Sequence, residues 1–124
     1  MELSVLPTGE EPIYRQLYDQ LSAQILRGDL APGTPLPPIR RLSAELGISV
    51  ITVRRAWEEL ERDGFILTAV GRGTVVADHP PGGLDARRQD QARALLRRTL
   101  AECRQLGVTD RELDALLAEL RREE

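Results

Sequence analysis

The sequence predicts a mainly α-helical chain with one small β-hairpin. Apolar residues recur at helical spacing in five segments of the 124-residue chain, and Pro, Gly, Ser or Thr residues bound these segments. Between the third and fourth segments, two short runs rich in β-branched residues flank Gly71-Arg72-Gly73, which indicates a hairpin. Because aromatic residues make up only 3% of the chain, the core must be built from Leu, Ile, Val and Ala.

The first helix is predicted within residues 8–29. Pro12 suits the first helical position and Gly28 is a suitable stop. Between them, apolar residues recur at every fourth position: Ile13, Leu17, Leu21 and Ile25. The next segment, "LAPGTPLPP", contains a Pro-Gly turn and three further prolines. Such a loop is rigid, so it should fix the direction in which the chain enters the following helix.

Two helices joined by a tight glycine turn come next. The first, residues 38–46, should begin at Pro38 and end at Gly47. Ser49 is placed to cap the second, residues 50–63. This arrangement is a helix-turn-helix unit.

The hairpin follows directly, with strands predicted at 65–69 and 74–77. A two-stranded hairpin is marginally stable alone, so it should pack against the helices. Three helices followed by a hairpin is the order of a winged helix-turn-helix, which we assign to residues 1–79. A linker at 80–83, with two prolines and two glycines, should end this domain.

Residues 84–124 are predicted to form a tail of two helices. The first spans 84–106, and the sequence from Thr109 to Glu112 fits a capping box at the start of the second. About forty residues are too few to build an independent core. We therefore expect a two-fold homodimer in which two tails pack as four helices. The predicted dimerisation residues are apolar positions of the two stripes: Leu95, Leu96, Leu100, Leu113, Leu116, Leu117 and Leu120.

The third helix carries the pattern most informative about function. At about 100° per residue, its core face is expected to hold Val53, Ala56, Trp57 and Leu60, and the opposite side Ile51, Arg54, Arg55 and Glu58. An apolar side chain between arginines suits contact with thymine methyl groups or sugars in a DNA groove. The alternative is a solvated face on which the arginines pair with Glu58 and Glu59 at i+4. The glycines on both sides of Arg72 favour the interpretation that the protein binds nucleic acid. They weaken a hairpin, but they let its tip enter a narrow groove.

Charge is unevenly distributed along the chain. The net charge is −3, and all 17 basic residues are arginine. Residues 38–57 nevertheless hold four arginines against one glutamate, a local charge of +3. Arginine suits forked contacts with phosphate or guanine. This segment therefore provides the electrostatic surface that nucleic-acid binding requires.

Other functional classes find little support in the sequence. One cysteine excludes an intramolecular disulfide and suits a reducing compartment, and one histidine with one cysteine cannot form an ordinary zinc site. We see no secretory signal and no apolar run of about 18 residues, so we expect a cytoplasmic chain without membrane contact. No catalytic arrangement is readable, and we expect neither an enzyme nor a cofactor. Trp57, Cys103, Tyr14 and Tyr18 are interpreted as packing residues, and His79 as inert.

The sequence resembles a known family. "PGTPLPPIRRLSAELGISVITVRRAWEELERDGFILTAVGRGTVV" is similar to the DNA-binding domain of GntR-type bacterial transcription regulators, and "PIYRQLYDQLSAQILRGDLAPG" is similar to that family's first helix and turn. The resemblance covers roughly residues 10–78. It implies a winged helix that binds a palindromic operator as a homodimer. The short two-helix tail resembles the YtrA subfamily, which lacks a large effector domain.

The resemblance also implies DNA contacts at particular positions. It places them on Arg40, on Ser49 and Thr52 at the start of the third helix, on Arg54, and on Gly71 and Arg72 at the wing tip. Val50 departs from the arginine common in relatives, so Val50 with Ile51 should favour methyl contacts over guanine recognition. Arg55 is a candidate for the missing base contact. We thus predict a sequence-specific transcription regulator, expected to be a repressor, whose third helix enters a major groove.

The alternative is a winged helix that serves as a protein-interaction module, with its arginine face against an acidic partner. The acidic net charge keeps this hypothesis open. Steep weakening of duplex binding with rising salt would distinguish DNA binding from it. A small-molecule effector, if the protein has one, would act by changing the spacing between the two wings.

Overall fold

The structure is a computed structural model that describes residues 1–79 and 83–124. Its elements in chain order are α1 (Ile13–Leu26), α2 (Ile39–Leu46), α3 (Val50–Arg62), β1 (Ile66–Ala69), β2 (Gly73–Val76), α4 (Gly83–Gln105) and α5 (Asp110–Glu123). This order confirms the predicted fold class. Of the predicted linker, residues 80–82 lie outside the described residues, and Gly83 is the first residue of α4.

The chain divides into two compact units, Met1–Leu84 and Asp85–Glu124. The first unit has a single core in which α1 packs across α3. Its largest fully buried side chains come from both helices and from the open end of the hairpin, where β1 begins and β2 ends: Leu17, Leu21, Ile25, Val53, Leu60, Phe65, Ile66 and Val76. Val53, Ala56, Trp57 and Leu60 are all buried, which confirms the predicted core face of α3. Leu84 packs against this core as well, and it belongs to the first unit.

The turn between α2 and α3 is held by a compact set of hydrogen bonds. Gly47 adopts a left-handed conformation (φ 68°), as a helix-ending glycine should. The backbone N–H of Ile48 then donates to the carbonyl of Ser43 at 3.1 Å, and the buried Ser43 hydroxyl donates to the carbonyl of Ile48. The Ser49 side chain accepts from the backbone N–H of Thr52 at 3.1 Å. Ser49 is therefore the helix cap that the sequence predicted.

Helices α1 and α2 each begin one residue later than predicted, directly after Pro12 and Pro38. Pro12 and Pro38 have extended backbones, with ψ of 150° and 145°, and each is the capping residue of its helix and not its first residue. The Pro12 carbonyl accepts from the backbone N–H of Gln16 at 3.1 Å. A proline at either of two positions avoids an unsatisfied N–H, so the residue type alone cannot separate them.

The proline-rich loop is fastened to the hairpin. β1 and β2 pair antiparallel, with Ile66 opposite Val76 and Ala69 opposite Gly73. On the other edge of β2, the N–H of Leu36 donates to Thr74 and the N–H of Val76 donates to Thr34, both at 2.9 Å. Pro35 has no N–H, and it lies opposite Val75 at the position that needs none. These bonds fix the loop that leads into α2 against the wing.

The N-terminal segment is bound to α1 through three glutamines. The side-chain amide of Gln16 forms two hydrogen bonds with the backbone of Leu6: its oxygen accepts from the N–H and its nitrogen donates to the carbonyl. The side-chain amide of Gln20 binds the backbone of Ser4 in the same way. Gln24 donates to the carbonyl of Glu2. Four helical residues rise about 6.0 Å and two strand residues advance about 6.6 Å, so the spacings of the two elements nearly match.

The second unit, Asp85–Glu124, consists of α5 and all but the first two residues of α4, and it has no core of its own. Neither helix contains a buried residue. The Thr109 side chain accepts from the backbone N–H of Glu112, and the Glu112 side chain accepts from the N–H of Thr109. This confirms the predicted capping box. Large apolar side chains of both helices are left exposed: Leu95, Leu96, Leu106, Leu116, Leu117 and Leu120.

Candidate nucleic-acid interface

Three of the arginines that were predicted to contact DNA line one surface groove of about 430 Å³. Arg40 comes from the first turn of α2, Arg54 from α3 and Arg72 from the tip of the hairpin. The remaining lining residues are the loop before α2, the first residue of each of α2 and α3, Trp57 and the start of β2. Arg40 and Arg72, which are 32 positions apart in sequence, are thus brought to one place.

Local sequence positions each of these arginines. Arg40 follows Pro38 and the loop that is hydrogen-bonded to β2, so its helix begins at a fixed place beside the wing. Arg54 lies one turn beyond the Ser49 cap of α3. At the tip, Gly71 and Gly73 have φ of 75° and 72°, a backbone conformation that side chains disfavour. The glycines that predicted a narrow tip are therefore also required by the turn.

Within residues 1–79 and 83–124, the positive charges around the groove are not neutralised by ion pairs. Neighbouring Arg41 points away to a salt bridge with Glu45 at 3.1 Å. Among the residues that the structure describes, neither Arg40, Arg54 nor Arg55 has an ion-pair partner. The alternative considered from sequence, in which Arg54 and Arg55 pair with Glu58 and Glu59, is not observed among these residues; Glu59 is instead within 3.9 Å of Arg62. The groove therefore offers positive charge to an external anion.

The first turn of α3 presents a mixed apolar and polar surface beside the groove. Ile51 is 76% exposed, as predicted, and Val50 lines the groove itself. The Ser49 hydroxyl lies 2.8 Å from the Thr52 hydroxyl as well as capping the helix. Free backbone N–H groups of a first helical turn favour phosphate. This surface combines a methyl-bearing side chain with hydroxyl donors, which suits base edges and backbone together.

Arg55 is oriented by a residue that sequence analysis did not connect with it. Its guanidinium carbon lies 3.8 Å from the centroid of the Tyr14 ring, and its Nη2 donates to the Tyr14 hydroxyl at 3.1 Å. Tyr14 is the second residue of α1 and was interpreted from sequence as a packing residue. It is half-buried against the core, but it also contacts the arginine.

The wing tip holds a second residue that sequence analysis missed. Val70 is fully exposed at the tip, whereas the guanidinium of Arg72 lies beside Gly33, on the groove side of the wing. An apolar residue in a turn gives little signal in a sequence, because single exposed apolar residues are common. Arg72 thus joins Arg40 and Arg54, and Val70 is the side chain at the end of the wing.

Other kinds of site are absent from the described part of the chain. Within residues 1–79 and 83–124, no cluster of His, Cys, Asp and Glu could hold a metal ion. No helix among these residues is long and apolar enough to cross a bilayer. Cys103 is half-buried on α4 and is not part of a disulfide.

The winged helix-turn-helix and its arginine-lined groove are those of a DNA-binding transcription regulator. The family model described as "Bacterial regulatory proteins, gntR family" matches residues 13–76. The chain belongs to this GntR family, and its short tail fits the YtrA-like subfamily.

Individual relatives agree with this assignment. The chain is 29% identical over 118 residues to the HTH-type transcriptional repressor YtrA of Bacillus subtilis, covering 95% of this chain and 91% of that protein. It is 42% identical over 79 residues to the probable rhizopine catabolism regulatory protein MocR of Rhizobium meliloti, covering 64% of this chain. The match spans only 16% of MocR, so the similarity there concerns one part of a much longer protein.

Solved structures show the same architecture. A GntR family transcriptional regulator from Listeria monocytogenes superimposes with a TM-score of 0.77 at 25% identity, covering 89% of this chain and 96% of that one. The DNA-binding domain of AraR in complex with operator ORX1 superimposes with a TM-score of 0.54 at 30% identity, covering 62% of this chain and 99% of that one.

Proposed function

We propose that the protein is a transcriptional repressor that binds a palindromic operator as a homodimer. The observation that carries the DNA-binding part is the groove in which Arg40, Arg54 and Arg72 meet, none of them paired with a carboxylate of the described residues. The repressor part rests on similarity to YtrA, which is named as a repressor and matches over nearly the whole chain. Since its target is the chromosome, the protein would act in the cytoplasm.

In this proposal α3 lies in the major groove of the operator. Arg40 and Ser49 bind phosphates and fix the protein's position, which carries no sequence information by itself. Ile51, with Val50 behind it, contacts thymine methyl groups, and Thr52 and Arg54 contact base edges or the adjacent backbone. The wing reaches into the flanking minor groove with Gly71, Arg72 and Val70. Arg55 lies outside the arginine-lined groove, beside α1.

The homodimer is supported by the state of the tail. A helical pair with no buried residue gains little from apolar burial in a single chain. Packing two copies would cover the exposed leucines of α4 and α5, together with half-buried Leu100 and Leu113. Two-fold symmetry would then place the two α3 helices about 34–36 Å apart, or a multiple of it, on successive turns of the duplex. A small-molecule effector would act by altering that distance.

Selection of bound sequences from a random duplex pool tests this proposal. The full chain is expected to enrich an inverted repeat, whose two halves correspond to the two protomers. Sedimentation at micromolar concentration should show a dimer with and without the selected duplex. Enrichment of a single half-site would refute the symmetric dimer, and failure to enrich any sequence at low salt would refute operator binding. Binding that is insensitive to salt would contradict the role given to the arginines.

A further inference from the structure

The contact between Tyr14 and Arg55 joins the first turn of α1 to the middle of α3. It has two components, since the guanidinium lies over the ring and also donates a hydrogen bond to the hydroxyl of the same residue. The two residues are 41 positions apart in sequence. Both the stacking distance of 3.8 Å and the hydrogen-bond length of 3.1 Å are short enough to restrict the arginine side chain.

Arg55 remains available to an external partner in this arrangement. The residue is exposed, and on the helical wheel it lies on the same side of α3 as Ile51 and Arg54. A guanidinium has five N–H donors, and the bond to Tyr14 uses one of them. Stacking occupies one face of the planar group and leaves its edges able to form a forked pair with a phosphate.

We propose that Tyr14 is a positioning residue for DNA binding, which holds Arg55 in place to contact a backbone phosphate beside the α3 contact. The DNA-binding surface then extends from α3 and the wing to the start of α1. This inference rests on the proposed function, because it assigns a further contact to the same operator complex. It also assigns Arg55 to the phosphate backbone, where the sequence had suggested a base contact.

The physical benefit of the contact is conformational. A free arginine side chain must lose rotamer freedom when it binds, and that loss weakens the contact. A side chain already stacked on a ring has lost much of this freedom before DNA arrives. The Tyr14 hydroxyl is an uncharged acceptor, whereas a phosphate oxygen is a charged acceptor and forms the stronger hydrogen bond. Tyr14 therefore does not compete effectively with DNA for the remaining donors of Arg55.

The test is a double-mutant cycle on the full chain. The variants are Tyr14→Leu, Arg55→Ala and the double variant, with Tyr14→Phe to keep the ring while removing the hydroxyl. Affinity for the selected operator is measured at several salt concentrations, and thermal unfolding is measured for every variant because Tyr14 packs against the core. Tyr14→Leu retains an apolar side chain at this position, which limits the loss of core packing.

We expect Arg55→Ala to lower the salt slope by about 0.9 for each protomer. Tyr14→Leu should weaken binding by about 2- to 10-fold for each half-site, which corresponds to the cost of ordering one long side chain. The same substitution should have no further effect when Arg55 is already Ala, and Tyr14→Phe should keep most of the parental affinity. A merely structural role of Tyr14 would not depend on residue 55.

Three results would overturn the inference while leaving operator binding intact. An equal loss from Tyr14→Leu with and without Arg55 would make Tyr14 structural. Tighter binding by Tyr14→Leu would mean that the tyrosine withholds the arginine from DNA. An unchanged salt slope for Arg55→Ala would remove the phosphate contact. Failure of the parent protein to bind the operator would instead refute the proposed function itself.

Discussion

Replacing Arg40 by Ala should weaken operator binding in a manner that depends on salt, because Arg40 lines the groove and forms no ion pair with any residue that the structure describes. The chain provides a matched control at the next position. Arg41 carries the same charge and lies in the same helical turn, but its side chain is paired with Glu45 at 3.1 Å and is 67% exposed. Arg40→Ala and Arg41→Ala therefore change net charge equally and differ in which surface loses it.

The size of the effect follows from counterion release. Each phosphate neutralised on B-form DNA contributes about 0.9 to the slope of log affinity against log salt, so two protomers contribute about 1.8. Raising salt from about 50 to 200 mM is a fourfold change. Over that range the parent should lose about 12-fold more affinity than Arg40→Ala, since four raised to the power 1.8 is about 12. The slope of log affinity against log salt for Arg41→Ala should be nearly the same as that of the parent.

The assay is titration of each protein onto a fluorescently labelled operator at four or more salt concentrations, followed by anisotropy. Thermal unfolding of the three proteins confirms that none has lost its fold. If both alanine variants lower the slope by the same amount, the charge acts at long range and the groove has no special role. If Arg40→Ala runs parallel to the parent, the assignment of Arg40 to a phosphate is wrong.

Three further predictions concern the wing, the tail and the core. Arg72→Ala should reduce affinity more for operators with A·T-rich flanks than for G·C-rich ones, because narrow minor grooves concentrate negative potential, and equal losses would reduce Arg72 to a nonspecific phosphate contact. Replacing Leu116 and Leu120 together by Asp should give a monomer in sedimentation and cost about 10²–10⁴ in operator affinity, while Glu119→Ala on the same exposed helix should remain dimeric. Phe65→Ala should lower the free energy of unfolding by about 3–5 kcal/mol in chemical denaturation, since Phe65 is fully buried, and Leu67→Ala, which is 39% exposed, should cost much less.

The helical framework was predictable because its signals are local. The cap at Ser49, the stop at Gly47 and the capping box from Thr109 to Glu112 each depend on residues within one turn, and all three are present. The buried face of α3 followed from helical periodicity alone. The error at Pro12 and Pro38 was one position, because a proline is compatible with both sites at a helix start.

Long-range polar contacts could not be predicted in the same way. Gln16, Gln20 and Gln24 read as an ordinary polar face of α1, and nothing in their spacing shows that a separate segment lies along them. The stacking of Arg55 on Tyr14 joins two residues that each have many other plausible neighbours. The assignment of individual residues to DNA contacts stays a prediction.

The hydrogen bonds between the α1 glutamines and the N-terminal segment have a consequence for self-association of the chain. The glutamines bind backbone groups of Glu2, Ser4 and Leu6, which are alternate residues, and alternate residues of a strand share an edge. An uncovered edge of this kind is a template for pairing with another chain and for fibril growth. Here a helix covers that edge with side-chain amides, which are uncharged and therefore insensitive to salt and to pH near neutrality. Salt high enough to strip DNA from the arginines should accordingly leave this edge protected.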